Sequence, residues 1–184
     1  MVNQFSFNLD QNYLSHHGVK GQKWGVRRYQ NYDGSLTNLG RSRKTIGYVN
    51  DIVSTMSKRD KKMLGVNGKE YLTTEEQKQI VKRIVKKINN VPVAFIDFSG
   101  DENGIGIAIG TRSGKEYRNK GYATEIAKEG KKWLDKNSSS FDQAVWWVRK
   151  DNIASRSIAK TIGFKLNESS VLQDNPWIEY KYVK

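Results

Sequence analysis

The hexamer Arg118-Asn119-Lys120-Gly121-Tyr122-Ala123 is the stretch of this chain best equipped for chemistry, and the chemistry is anion capture. Gly121 lets the backbone approach a ligand closely, and the free N–H groups of a helix N-terminus point at a phosphate. Arg118 and Lys120 bring positive charge to the same place. Taken alone, the pattern Arg/Gln-x-x-Gly-x-Gly/Ala is weak: at ordinary glycine usage it turns up in roughly one chain in six of this length. Its position gives it weight, because it falls where a strand pattern gives way to a helical one.

A second segment follows, Val148-Arg149-Lys150-Asp151-Asn152-Ile153-Ala154-Ser155, running on through Ala159 to Gly163-Phe164. It reads as a strand end leading into a helix over 152–162 that Gly163 stops. A serine in a helix's first turn, as Ser155 is here, also has a purely structural reading.

The elements that must position these residues follow from periodicity. Ile46, Val49, Val53 and Met56 fall on one stripe of a helix covering about 42–60. A second helix is expected over 74–89, with Thr73 and Glu76 as a capping box and Ile80, Val81, Ile84, Val85 and Ile88 as its apolar face. Its opposite face would carry Lys78, Lys82, Arg83, Lys86 and Lys87. After Pro92 the period changes to strand: Val93–Phe98 and Ile105–Ile109 read as a hairpin. A helix over 122–137, a strand Ala144–Val148, the 152–162 helix and a closing strand Trp177–Val183 complete the order β-β-α-β-α-β. Trp146 and Trp147 adjoin on a strand and face opposite sides; one of them could line an acceptor cleft, but core packing is the expectation for both.

From 92 to 184, the two motifs in this order resemble the GNAT superfamily of acetyl-CoA-dependent N-acetyltransferases. The resemblance implies an α+β fold, an α/β sandwich whose mixed, mostly antiparallel central sheet is flanked by helices. It implies that Arg118, Asn119, Lys120, Gly121, Tyr122 and Ala123 hold the CoA pyrophosphate, largely through backbone amides. The strands before and after that turn would splay apart to admit the pantetheine arm, which Asn152 would hydrogen-bond, and Gly163-Phe164 would start the last hairpin. Catalysis in the family is direct attack of an amine on the thioester, with a base for the ammonium proton and an acid for the thiolate. The family's usual tyrosine acid falls at Ala159 here. The surrounding pattern looks more like the branch that modifies ribosomal-protein N-termini, which implies the acid role for Ser155. For the base, Asp97, Glu116 and Glu179 all remain open, each equally readable as a surface carboxylate. No metal is expected: there is no cysteine, and the two histidines are the adjacent His16 and His17.

Residues 1–40 read as a basic extended arm before a GNAT-like domain over 41–184, itself a helical part (41–91) and a motif-bearing core (92–184). Within the arm, His16-His17-Gly18-Val19-Lys20-Gly21-Gln22-Lys23-Trp24-Gly25-Val26-Arg27-Arg28-Tyr29-Gln30 and Asp33-Gly34-Ser35-Leu36-Thr37 resemble a segment of tailed-phage virion-associated proteins. That implies a phage or prophage origin, a capsid or head partner through residues 15–37, and a location in host cytoplasm or virion.

The formal charge of +13 on 184 residues first suggests nucleic acid. Divided along the chain, +10 lies in residues 1–92 and +3 in 93–184, so the excess sits before the motifs. It points to docking through the first half, nucleic acid included, or to an acidic acceptor or partner. No apolar run approaches the ~20 residues needed to cross a bilayer, so no membrane partner is expected. Two functions stand: an acetyl-CoA-dependent N-acetyltransferase acting on a protein, peptide or aminoacyl-nucleic-acid amine, or a non-catalytic virion-associated protein that keeps the fold.

Overall fold

The structure is a computed structural model that describes residues 35–64, 66, 71–72, 74–100 and 102–184. The arm up to residue 34, and Thr73 of the expected capping box, lie outside the described residues. The chain divides into two units, 1–44 and 45–184. In the first, Thr37 starts helix α1 (Asn38–Ser54): its Oγ1 accepts from Gly40 N–H at 3.1 Å and its carbonyl from Arg41 N–H at 2.9 Å.

In the second unit α1 continues to Ser54 and is followed by α2 (Lys58–Leu64). The single helix expected over 42–60 is thus two. Thr55 turns its hydroxyl back onto the Ile52 carbonyl at 2.7 Å, and Ser57 Oγ accepts from Asp60 N–H at 3.1 Å, capping α2. The expected stripe survives the break: Val49, Val53 and Met56 are buried together, with Ile46 packed against them.

The helix expected over 74–89 is a correction. Only α3 (Thr74–Lys78) is helical, and Ile80–Ile88 form strand β1, paired antiparallel with β2 (Val91–Gly100). A spacing of 1, 3, 1, 3 fits a helical stripe, but all five apolar residues are β-branched and favour a strand. Register shifts at Ile80/Lys82 and Lys86/Lys87 absorb the mismatch with strict alternation. Asn89 (φ 48°) and Asn90 (φ 65°) make the tight turn to β2, a left-handed pair typical of two-residue hairpins. The basic helical face therefore does not exist. Lys86 ion-pairs with Glu125 at 2.6 Å on one side of the sheet, and Lys87 lies 3.7 Å from the centre of the Tyr48 ring.

The remaining elements are β3 (Ile105–Thr111), α4 (Tyr122–Lys136), β4 (Ala144–Arg149), α5 (Ile153–Thr161), β5 (Lys165–Leu166) and β6 (Trp177–Lys181). The sheet order is β1-β2-β3-β4-β6-β5, antiparallel except for β3 beside β4. This is the expected α+β fold with a mixed, mostly antiparallel sheet flanked by helices. The two-residue β5, which periodicity did not reveal, pairs with β6 after Gly163 (φ 87°) ends α5.

Two apolar layers hold the sheet. On one face Ile126, Ala127 and Leu134 of α4 and Ala159 of α5 pack with Ile96, Phe98 and Trp146. On the other, Val49, Ile52 and Val53 of α1 pack with Phe95 and Tyr71. Below Tyr71 lies a buried ion pair, Arg83 with both oxygens of Asp97, at 2.7 and 2.6 Å. The Tyr71 phenol is pushed well above its ordinary value, first by burial and then by the Asp97 charge. Gly110 on β3 is where the Phe95 ring crosses the strand. A Cβ there would lie 2.3 Å from Phe95 Cε1 and 3.0 Å from Met56 Cε. Gly110→Val is expected to cost about 1–3 kcal/mol by overpacking, read as a lower midpoint in urea with an unchanged slope.

Candidate functional site

The site arises from a defect in the sheet. β3 and β4 are paired at only two positions, Ile105 with Ala144 and Gly106 with Val145. Beyond them the strands diverge, and a cleft of about 930 Å³ opens between them. One wall is β3 from Ile107 onward, and the other is Trp146, Trp147 and Val148 of β4 with the start of α5. Met56, Arg59, Asp60 and Met63, from the end of α1 through α2, line a further side.

All eight residues singled out from the sequence line this cleft: Arg118, Asn119, Lys120, Gly121, Tyr122 and Ala123 on one side, Asn152 and Ser155 on the other. The turn before α4 is built from left-handed backbone. Asn119 has φ 59° and Gly121 φ 78°, so two close reversals precede the helix. A Cβ on Gly121 would meet nothing within 4 Å, so the glycine faces open cleft space rather than packed protein. The N–H groups of Tyr122, Ala123 and Thr124 open the helix and have no intrahelical acceptor, whereas Glu125 N–H reaches Gly121 O at 2.9 Å. Free helix-start N–H groups with Lys120 beside them have the chemistry to hold a phosphate. Arg118 points elsewhere, its Nη2 meeting Asp60 Oδ2 of α2 at 2.7 Å.

Asn152 is the N-cap of α5, its Oδ1 accepting from Ser155 N–H at 3.1 Å. That use engages only its oxygen, and Asn152 lines the cleft. Among the described residues no hydrogen bond engages the Ser155 hydroxyl. Ala159 is fully buried in the core, so no phenol reaches the cleft from that position. Tyr117 and Tyr122 do line it.

The carboxylates left open as bases are not in the cleft. Asp97 is 2% exposed, which corrects its reading as a surface group; burial raises its carboxyl against the downward pull of Arg83 and Tyr71. Glu179 accepts from Asn167 Nδ2 at 2.8 Å, and Glu116 lies beside Gly114. The carboxylates that do line the cleft are Asp60 and Asp151, both ion-paired. The Arg149 guanidinium holds the Asp151 carboxyl below the usual range. Periodicity gave no signal for them, because they reach the cleft only when distant segments fold together. Trp147 also corrects the expectation that both tryptophans pack in the core. Trp146 is buried, but Trp147 is 46% exposed on the opposite face, in the cleft wall with Trp177. Among the described residues there is no cluster of metal-ligating side chains, and no helix is long and apolar enough to cross a membrane.

Comparisons with known proteins agree with this geometry. The family model described as acetyltransferase (GNAT) domain matches residues 27–165, and one described as a family of unknown function (DUF7211) matches residues 10–31. No curated protein matches the chain. Among solved structures, an acetyltransferase of the GNAT family from Streptococcus pneumoniae superposes with a TM-score of 0.55 at 17% identity, covering 77% of this chain and 91% of that one. An acetyltransferase (GNAT family) from Bacillus anthracis gives 0.51 at 21% identity, covering 76% and 87%. The GNAT domain of S. lividans PAT gives 0.56 at 9% identity, covering 76% and 85%. At such identities the likeness is one of fold.

Proposed function

We propose, because this chain belongs to the GNAT acetyltransferase family, that it transfers the acetyl group of acetyl-CoA to an amine by direct attack. The observation that carries the reading is the cleft where β3 and β4 part, lined at once by the 118–123 turn and the start of α5. In this reading the pyrophosphate rests on the amides at the α4 N-terminus, with Gly121 leaving room for it and Lys120 adding charge. Asn152, fixed by its capping bond, directs its amide donors at the pantetheine arm. Acetyl-CoA supplies the activated carbonyl. The amine bonds to that carbonyl carbon as the carbon–sulfur bond breaks, the nitrogen giving up a proton and the sulfur taking one. In this reading Ser155, which lines the cleft, gives a proton to the sulfur through its hydroxyl. Asp60 and Asp151, already paired with arginines, suit holding an ammonium group more than removing its proton.

Isothermal titration of the purified chain with acetyl-CoA, together with thiol release in the presence of amines, tests the reading. Saturable binding and acceptor-dependent release are expected, and their joint absence rejects it. Ser155→Ala is expected to lower kcat by about 10²-fold while acetyl-CoA affinity stays near its starting value. An unchanged kcat reduces Ser155 to a first-turn residue.

The burial of Ala159, where the family has its acid, favours a second reading, a non-catalytic protein that retains the fold. The phage or prophage origin, and attachment to a capsid through residues 15–37, rest on the resemblance of the arm. Transfer of labelled acetyl to a host lysate, abolished by Gly121→Glu, rejects the non-catalytic reading.

A further inference from the structure

The cleft does not end at the two splayed strands. A second cavity of about 310 Å³ lies against it, and Arg59, Met63 and Asp151 line both. Its other walls are Lys58 and Lys62 of α2 and Arg149 of β4. Five of its six lining residues are charged, four of them cations. Arg149 is committed to Asp151, with Nε to Oδ1 at 3.0 Å and Nη2 to Oδ2 at 3.3 Å. Lys58, Arg59 and Lys62 have no ion-pair partner among the described residues. Arg59 acts on Asp151 only at longer range. Three like charges gathered on one short helix repel one another, and an anion in the cavity they share removes that cost.

We propose that this side cavity selects the acceptor: the amine to be acetylated is carried by an acidic peptide whose first residues include a carboxylate. The inference rests on the acetyltransferase reading above. With the amine in the main cleft, between the Trp147 and Trp177 surfaces and the β3 wall, a neighbouring Asp or Glu side chain would meet Lys58, Arg59 and Lys62 across the shared lining of Arg59, Met63 and Asp151. Half-exposed Trp147 offers a flat apolar surface for the peptide stem. The excess positive charge of the first half thereby gains a local use, because α2 lies within it.

The test uses the full chain, acetyl-CoA, and three peptides identical except for Asp-Glu, Ser-Gln or Lys-Lys at positions two and three. Thiol release is measured for each, and free phosphoethanolamine serves as a non-peptide anionic amine. We expect kcat/KM for the acidic peptide to exceed that of the neutral one by about tenfold at low salt, as three exposed cations acting together allow. The advantage should shrink as ionic strength rises. Arg59→Glu combined with Lys62→Glu should invert the order of the acidic and basic peptides, a change that mere loss of stability does not produce. Equal or faster transfer to the neutral or basic peptide, with acetyl-CoA binding intact, overturns the proposal. Phosphoethanolamine outpacing every peptide also overturns it, in favour of a small anionic acceptor. Failure to bind acetyl-CoA at all rejects the enzyme reading itself and is distinguishable by titration before any acceptor is added.

Discussion

Gly121→Glu is expected to abolish CoA binding while leaving a folded protein. Two effects act together at this residue. Its φ of 78° is left-handed, which costs a side-chain-bearing residue about 1–2 kcal/mol. That is too little to unfold a domain of ordinary stability. The decisive effect is in the cleft. No residue beyond its chain neighbours comes within 4 Å of where the new Cβ would sit, and Gly121 lines the cleft beside the α4 N-terminus, so the carboxylate has room next to that helix start. There it takes up the helix-start N–H groups itself and repels a pyrophosphate. The loss expected by titration is at least about 100-fold in affinity, with circular dichroism retaining the parent spectrum. Gly121→Ala separates the causes: it keeps the backbone cost without the charge, and most of the affinity should remain. Equal affinity in the parent and Gly121→Glu proteins would remove the 118–123 turn from cofactor binding.

The largest effect on stability is expected at Asp97. Its carboxylate and the Arg83 guanidinium form a two-bond pair between adjacent strands, with side chains 2% and 8% exposed. Asp97→Ala removes one partner and leaves a buried guanidinium without its counter-charge, at a cost of about 3–5 kcal/mol. That is a large share of the whole stability of a domain this size. Chemical denaturation reads it as a strong fall in the midpoint. The double variant Arg83→Met, Asp97→Leu should recover much of the loss, since two apolar side chains of similar volume need no counter-charge there. A double variant as unstable as Asp97→Ala would mean that packing, not charge pairing, sets the cost. Because Asp97 lies outside the cleft, the rescued protein should also bind acetyl-CoA, which separates this pair from the site.

Which features the sequence could carry depended on how local their causes are. The 118–123 turn was legible as a strand-to-helix junction because a glycine between basic residues there is defined within six positions. The second motif was legible for the same reason, since Asn152 caps the helix that holds Ser155 three residues on. β1 was misread because Ile80, Val81, Ile84, Val85 and Ile88 satisfy a helical stripe as well as a bulged strand. Pairing with β2, a partner sequence periodicity does not see, decided between them.

By itself the sequence determined the residues of the 118–123 turn and the order of elements from residue 93 onward save the two-residue β5, and its resemblance to the GNAT superfamily implied the α+β class. The turn and the element order follow from short-range periodicity and from glycine's tolerance of left-handed backbone. The tertiary structure alone decided that β3 and β4 part after two pairs, so that the two motifs face one cleft. It also decided that Asp97 is buried, that Trp147 is not, and that α2 brings Lys58, Arg59 and Lys62, without ion-pair partners among the described residues, to the cleft's side cavity. Burial and charge pairing are set by residues far apart in the chain. They exist only once the sheet has brought those residues together.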